Sequence, residues 1–240
     1  ENIHKAKGAV TEEVYNRYAG EAYFCRACKY AELIFFYGDV PYQEETITIS
    51  EALQRGRRPK AEVIPLVYAD FDKAIAGLPE SYGKDENIHP TKGAALAMKA
   101  RFALYMGDYE IAAQAAKACM DLKLYSLEPD YAKLFKQSTK LNDEKVFVIP
   151  RSIENEVMLD SWIVKNGLPR NAGGYGSYNP SWDLLASYLC TDGLPIDESP
   201  LFDPRKPFKN RDPRCTMTIV EFNTEHCGFE YDPKIGRAHV

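Results

Sequence analysis

"TKGAALAMKARFALYMGDYEIAAQAAKACMDL", residues 91 to 122, is an alanine-rich stretch that is interrupted only at Gly107 and Asp108. Alanine favours the helix, and its small side chain lets two helices approach closely. Glycine readily ends a helix because it tolerates the left-handed backbone conformation. The stretch therefore predicts two antiparallel helices that turn at Gly107. Their tight interface is predicted to contain Ala100, Ala103, Ala112, Ala115 and Ala116.

The turn between these helices resembles the turn of a tetratricopeptide unit. In that repeat a Gly-Asp/Glu-Tyr sequence joins two helices, and a small residue of the first helix meets an alanine of the second. Gly107, Asp108, Tyr109 and Ala112 match this pattern, whereas Ala116 and Cys119 depart from it. The rest of the chain has no clean repeat of the expected length of roughly 34 residues. We therefore predict tetratricopeptide-like geometry without a regular array.

Two further helices are predicted upstream of this pair. Thr11 is a capping residue, and the helix after it is expected to reach Tyr37 and to end at Gly38. A second helix is expected from Pro59 to Leu78, because apolar residues recur there at helical spacing. Those residues are Val63, Val67, Phe71, Ala74 and Leu78.

The second half of the chain has a different character. Residues 146–149, Val-Phe-Val-Ile, predict one short buried strand. From Arg151 onward glycine, proline, asparagine and aromatic residues dominate, apart from a helical stretch from Trp182 to Leu189 in which Trp182 is expected to pack inward. The predicted fold class is mainly α: tetratricopeptide-like antiparallel helix pairs with a loop-rich, irregular region and at most short strands.

Composition excludes several classes of protein. Asp and Glu together number 35 against 30 Lys and Arg, so no general basic field is available to bind nucleic acid. No apolar run approaches the roughly 18 residues of a membrane span. Cys25 and Cys28 form a Cys-x-x-Cys pair inside a helical pattern, where we expect small buried residues and not a metal or redox site. We predict neither a metal nor a cofactor.

One uncharged stretch, "GGYGSYNPSW" at residues 173 to 182, combines residues typical of loops, namely glycine, serine, asparagine and proline, with aromatic residues. A carbohydrate presents weakly apolar C–H faces and hydroxyl edges, so its binding site needs flat rings and a few amide groups. The preceding stretch, residues 161 to 172, adds another ring and two amides. The predicted ligand-binding residues are Trp162, Asn166, Asn171, Tyr175 and Tyr178.

"YGDVPY" at residues 37 to 42 and "KNRDPR" at residues 209 to 214 resemble sequences of the SusD/RagB family. The segments around and between them follow the order of that family along nearly the whole chain. These segments span residues 20–42, 91–119, 125–135, 142–150, 179–197 and 203–214. Six matching segments in the same order are specific evidence for the resemblance, although each segment alone is weak evidence.

The resemblance implies a mostly helical lipoprotein on the outer surface of a Bacteroidetes-type outer membrane. Such a protein binds an oligosaccharide or another nutrient, performs no catalysis, and delivers its ligand to a SusC-like TonB-dependent transporter. We expect a helical scaffold over residues 1–135 and a loop-rich, ligand-facing region of the same domain over residues 136–234. Because family members extend further at both ends and carry a lipid anchor, we expect an internal fragment whose residues 235–240 are a non-native tail.

Two other functions stay open. A helical-repeat scaffold that binds only proteins is one, because stacked helix pairs commonly bind peptides. A glycoside hydrolase is the other, since it needs two carboxylates across the scissile bond. The candidate acids are Asp160, Asp183, Asp192 and Glu198. His226 near Cys215 and Cys227 forms no recognisable metal motif.

Overall fold

The computed structural model of the protein describes residues 2–82, 88–139, 141–149, 161–226 and 228–231. The chain divides into two compact units. The helical unit comprises Glu1–Glu128 and Leu141–Ile149, and the loop unit comprises Pro129–Lys140 and Pro150–Val240. The predicted tail, residues 235–240, lies outside the described residues. The predicted regions 1–135 and 136–234 were distinguished as scaffold and ligand-facing region. A division of the chain into compact units does not test those roles.

The helical unit contains six α-helices within its described residues, and they confirm the mainly α prediction. They are α1 (Asn2–Lys5), α2 (Glu12–Tyr37), α3 (Ile49–Gln54), α4 (Lys60–Gly77), α5 (Lys92–Met106) and α6 (Tyr109–Asp121). Both predicted ends of α2 are confirmed. The Thr11 side chain accepts a hydrogen bond from the Val14 N–H, and Gly38 takes a positive φ of 70° while its N–H donates to the Ile34 carbonyl.

The helices α5 and α6 form the predicted pair. Gly107 adopts the left-handed conformation with φ 84°, and the Asp108 N–H donates to the Ala103 carbonyl at 2.9 Å. Ala103, Ala112 and Ala115 are buried. The prediction for Ala116 was wrong, because this residue is exposed. One residue along a helix rotates the side chain by about 100°, so Ala115 and Ala116 cannot both face α5.

The core of the helical unit lies where α4 packs between α2 and α5. Phe71 and Val67 of α4 are fully buried together with Ile34 of α2 and Phe102 of α5. The stripe of apolar residues predicted for α4 is buried throughout, from Val63 to Leu78. Each valine, leucine or phenylalanine of the stripe contributes about 1.5 to 3 kcal/mol when it is fully buried.

The contact between α2 and α4 depends on two glycines. A Cβ atom on Gly77 would lie 2.6 Å from the Asn16 carbonyl oxygen, and one on Gly20 would lie 3.2 Å from the Gly77 carbonyl carbon. Main-chain atoms cannot rotate away as side chains do. The two helices therefore approach at a distance that only glycine permits.

We expect Gly77→Ala to lower the free energy of unfolding of the helical unit by about 2 kcal/mol, because α4 must move away from α2. Urea-induced unfolding followed by circular dichroism measures this loss. Gly56→Ala is the matched control, since a Cβ atom on Gly56 would have no neighbouring atom within 4 Å. Equal stabilities of the two variants would contradict this account of the helix contact.

The predicted strand at residues 146–149 was wrong. These residues form no strand, and Phe147 instead packs edge-to-face on Phe24 of α2, with ring centroids 5.2 Å apart. A strand needs a neighbouring backbone to pair with. Within the described part of the helical unit, no other strand is present to supply one. Phe147 therefore contacts a helix, but it is still 37% exposed and Ile149 is 72% exposed, so the prediction that this segment is buried was wrong as well.

The prediction that Cys25 and Cys28 are both buried was also wrong. Cys25 is exposed and Cys28 is half-buried. Helix α2 contacts the core through Phe24, Ala27 and Ala31, and Cys25 lies one position off that face. Burial raises the pKa of the Cys28 thiol to about 12, so this thiol is a poor nucleophile at neutral pH.

The loop unit is built from short elements. Its described residues form α7 (Ser161–Gly167), α8 (Trp182–Ser187), α9 (Arg214–Thr218), β1 (Glu225–His226), β2 (Phe229–Glu230) and three 3-10 turns, at Lys133–Phe135, Gln137–Thr139 and Arg170–Ala172. The strands β1 and β2 pair antiparallel. A small core comprises Leu185, Phe208, Cys215 and Ile219. No described helix in either unit is long and apolar enough to cross a membrane.

Candidate ligand-binding site

Two predicted site residues form an exposed ring pair in the loop unit. Trp162 of α7 is 58% exposed and Tyr175 of the following loop is 44% exposed. Their ring centroids lie 5.2 Å apart at an interplanar angle of 52°. Aromatic rings that are accessible and adjacent offer a ligand a stacking surface larger than one ring.

The loop that carries Tyr175 is anchored to the carboxyl end of α7. The Tyr175 N–H donates to the Lys165 carbonyl at 2.7 Å, and the N–H groups of Ser177 and Tyr178 both donate to the Asn166 carbonyl, at 2.9 and 3.0 Å. The last carbonyls of a helix lack partners within the helix. Here the returning loop supplies those partners, which brings Tyr175 back beside Trp162.

Glycines allow this return. Gly176 adopts a positive φ of 59°, a conformation that glycine tolerates at little cost. A Cβ atom on Gly174 would lie 2.1 Å from the Leu168 carbonyl oxygen. The glycine-rich composition therefore has a local cause: the backbone passes too close to itself for side chains.

The two predicted asparagines differ from the rings in position. Asn166 is buried, and its carbonyl is the acceptor that anchors the loop. Asn171 belongs by its backbone to the 3-10 turn Arg170–Ala172, while its side chain is outside the described part of the chain. Their contact with a ligand stays a prediction, as it does for Trp162, Tyr175 and Tyr178.

Tyr178 forms part of the wall of a cavity of about 470 Å³ within the loop unit. Phe222, Phe229 and Tyr231 line the same cavity. Sequence reasoning missed these three rings. The one feature of the nearby sequence that could have indicated a turn between two strands here is Gly228. This glycine adopts a positive φ of 81° between β1 and β2.

Trp182 does not pack inward as predicted, since it is 56% exposed. It occupies the first turn of α8, where the Ser181 side chain accepts a hydrogen bond from the Leu184 N–H at 3.1 Å. Leu185, three positions along the helix, is the residue that α8 buries. The prediction that Trp182 packs inward was wrong because α8 is so short that only one of its side chains is buried.

Among the described residues, the carboxylates considered for hydrolysis form no recognisable acid–base pair. Asp160 and Cys227 lie outside the described residues, and Asp183 and Glu198 are exposed. The Ser199 hydroxyl donates to Asp192 at 2.7 Å, which holds the pKa of this carboxyl below its usual range. A general acid in a glycosidase requires the opposite shift. Asp192 therefore acts as a loop-stabilising acceptor.

A family model described as "Starch-binding associating with outer membrane" matches residues 1–104. SusD-like protein P2 of Formosa agariphila is 34% identical over 131 residues, which are 52% of this chain and 25% of that protein. A SusD-like protein of Bacteroides ovatus is 25% identical over 211 residues, 79% of this chain and 37% of that protein. The chain thus spans about a quarter to two fifths of these relatives.

Solved structures give the same comparison in three dimensions. A SusD-like carbohydrate-binding protein of Bacteroides fragilis matches with a TM-score of 0.85 and 30% identity, covering 92% of this chain and 44% of that one. A second SusD-like protein of Bacteroides fragilis matches with a TM-score of 0.73 and 28% identity, covering 90% and 45%. The similarity includes both units, because it extends over nine tenths of the chain.

Proposed function

The chain belongs to the SusD/RagB family, and from this premise we propose that it captures an oligosaccharide or a similar nutrient without chemical change. The observation that carries the proposal is the exposed pair of Trp162 and Tyr175 on a loop anchored to α7. A Bacteroides fragilis relative at 30% identity is described as carbohydrate-binding, which supports a sugar as the ligand class.

The anchored loop suits ligand capture for an energetic reason. Ordering a flexible loop on binding reduces affinity, and a loop already held by its own hydrogen bonds avoids this loss. The carbonyls of Lys165 and Asn166 hold the loop before any ligand arrives. The two rings can therefore contribute their full stacking energy to a sugar face.

The proposal continues to a protein partner, a SusC-like TonB-dependent transporter at the outer membrane, which receives the ligand. The helical unit carries an exposed aromatic patch, formed by Phe35, Phe36, Tyr37 and Tyr105. The Phe35 and Tyr105 ring centroids lie 4.9 Å apart. A contiguous patch of exposed apolar side chains commonly marks an interaction surface. We take the patch as the surface on which a partner protein docks.

We expect Trp162→Ala and Tyr175→Ala each to weaken binding of a verified oligosaccharide ligand about fivefold, since one stacking contact is worth about 1 kcal/mol. A panel of neutral oligosaccharides from starch, laminarin and xylan identifies the ligand, and isothermal titration calorimetry measures the affinities. Neither side chain belongs to the small core of the loop unit, so the variants should remain folded.

Trp182→Ala is the matched control, because Trp182 is as exposed as Trp162 but belongs to α8. Its affinity should equal that of the unmodified chain. Unchanged affinity in both ring-pair variants would overturn the assignment of the site.

A further inference from the structure

We propose that the cavity beside Tyr178 takes an uncharged aromatic group of the ligand, next to the sugar held by Trp162 and Tyr175. The inference rests on the proposed function, because it adds a group to the ligand proposed there. It goes beyond that function by naming a chemical group that a plain sugar lacks.

The lining of the cavity carries no charged side chain among the described residues. Aromatic rings come from Tyr178, Phe222, Phe229 and Tyr231, and aliphatic side chains come from residues such as Leu168 and Ile219. Burying an ion in such surroundings without a counter-charge is strongly unfavourable. The lining therefore selects against uronates, sulfated sugars and other charged groups.

Two polar side chains that line the cavity, those of Asn179 and Thr218, make hydrogen bonds within the loop unit. The Asn179 amide donates to the Gly176 carbonyl at 2.8 Å, and the Thr218 hydroxyl lies 3.5 Å from the Tyr131 hydroxyl. A sugar ring placed in the cavity would exchange its hydrogen bonds with water for few new ones, which costs affinity. An aromatic ring has no such groups to satisfy.

The size and stiffness of the cavity also fit a ring. Its volume of about 470 Å³ lies within the range of about 300 to 1,000 Å³ that is usual for ligand pockets. Phe222 is held edge-to-face against Phe208, with centroids 5.3 Å apart. Asn223 and Tyr231 are joined by a backbone hydrogen bond of 2.8 Å. The aromatic wall is therefore already in place for a flat ligand group.

The test compares three glucosides by ligand-detected NMR: phenyl β-glucoside, methyl β-glucoside and 4-carboxyphenyl β-glucoside. We expect the phenyl glucoside to bind about tenfold more tightly than the methyl glucoside, because its ring leaves water for an apolar wall. The carboxyphenyl glucoside should lose this advantage since its charge has no partner. Equal affinities for the phenyl and methyl glucosides, or for the phenyl and carboxyphenyl glucosides, would overturn the inference.

Two variants locate the effect. Ala172→Phe fills the cavity, and Phe229→Ala removes a partly exposed ring at small cost in stability. Each should abolish the preference for the phenyl glucoside and leave methyl glucoside binding unchanged. Ala132→Phe, at a half-buried alanine that does not line the cavity, is the control. If both cavity variants keep the preference for the phenyl glucoside, the inference is wrong.

Failure of the proposed function looks different. In that case Trp162→Ala and Tyr175→Ala would leave oligosaccharide affinity intact, whereas loss of the phenyl preference in the cavity variants would still support the cavity. Intact oligosaccharide capture with no phenyl preference would refute the cavity alone.

Discussion

Replacement of Arg211 by methionine should lower the free energy of unfolding of the loop unit by about 3 to 5 kcal/mol. Arg211 is only 5% exposed. Its guanidinium donates to the carbonyls of Leu185 and Tyr188, both at 2.6 Å, and to the carbonyl of Pro207 at 2.8 Å. Charge-assisted hydrogen bonds of this kind are the strongest in proteins after ion pairs.

The expected loss of stability follows from the carbonyl groups that Arg211→Met leaves without a donor. Leu185 and Tyr188 lie at the carboxyl end of α8, where helical carbonyls lack partners within the helix. Methionine fills a similar volume but donates nothing, so the buried carbonyl of Leu185 and the partly buried carbonyl of Tyr188 lose their partner, and a buried group left unpaired costs about 1 to 3 kcal/mol. The guanidinium also lies 5.5 Å from the Phe202 ring centroid, a contact that is lost as well.

Arg205→Met is the control, because Arg205 belongs to the same loop and is exposed. Its stability should stay within about 0.5 kcal/mol of the unmodified chain. Arg211→Lys should fall between the two, since an ammonium cannot reach three carbonyls with a planar fork. Chemical denaturation followed by tryptophan fluorescence reports on this unit, which contains Trp162 and Trp182. A loss below 1 kcal/mol for Arg211→Met would contradict this role.

Asp70→Asn should destabilise the helical unit by about 3 kcal/mol. Asp70 of α4 is 2% exposed and makes a two-pronged ion pair with Arg26 of α2, at 2.6 and 2.7 Å. The hydrogen bond to this carboxylate raises the pKa of the Arg26 guanidinium above its ordinary value. The amide of asparagine would leave the half-buried Arg26 guanidinium with only its longer contact of 3.7 Å to Glu44 as a counter-charge.

An exposed ion pair provides the comparison. Lys117 and Asp121 of α6 lie 3.0 Å apart, and both side chains are exposed. Asp121→Asn should therefore cost less than about 0.5 kcal/mol. Urea denaturation of both single variants measures the difference. Equal losses for Asp70→Asn and Asp121→Asn would refute a special role for the buried pair.

A double-mutant cycle separates the pair from its surroundings. Arg26→Met combined with Asp70→Leu removes both charges together, and the double variant should lose less stability than the sum of the two single losses. Additive losses would mean that the two side chains stabilise the unit independently, contrary to their contact.

Local signals predicted the helices because a helix is built from contacts between residues close in sequence. Thr11 and Gly38 bound α2, and Gly107 turns the chain between α5 and α6, as predicted. Such caps act within a few residues of their position. The same reasoning failed at residues 146–149, where a strand requires a distant partner that the described part of the unit does not contain.

The candidate site was only partly predictable for the same reason. The residue types at Trp162 and Tyr175 pointed to a stacking surface, but their contact arises from hydrogen bonds between the loop and the end of α7. Phe222 and Tyr231 lie more than 40 residues beyond Tyr178, and no pattern near Tyr178 indicates them.

By itself, the sequence determined the long helices α2, α4, α5 and α6, both ends of α2, the turn at Gly107 and the kind of side chain available for a ligand. Tertiary structure alone decided which rings meet, which arginine is buried, and that Arg26 pairs with Asp70, 44 positions away. Helix formation depends on neighbours along the chain, whereas a cavity or a buried ion pair depends on side chains that come together only after the helices and loops have packed.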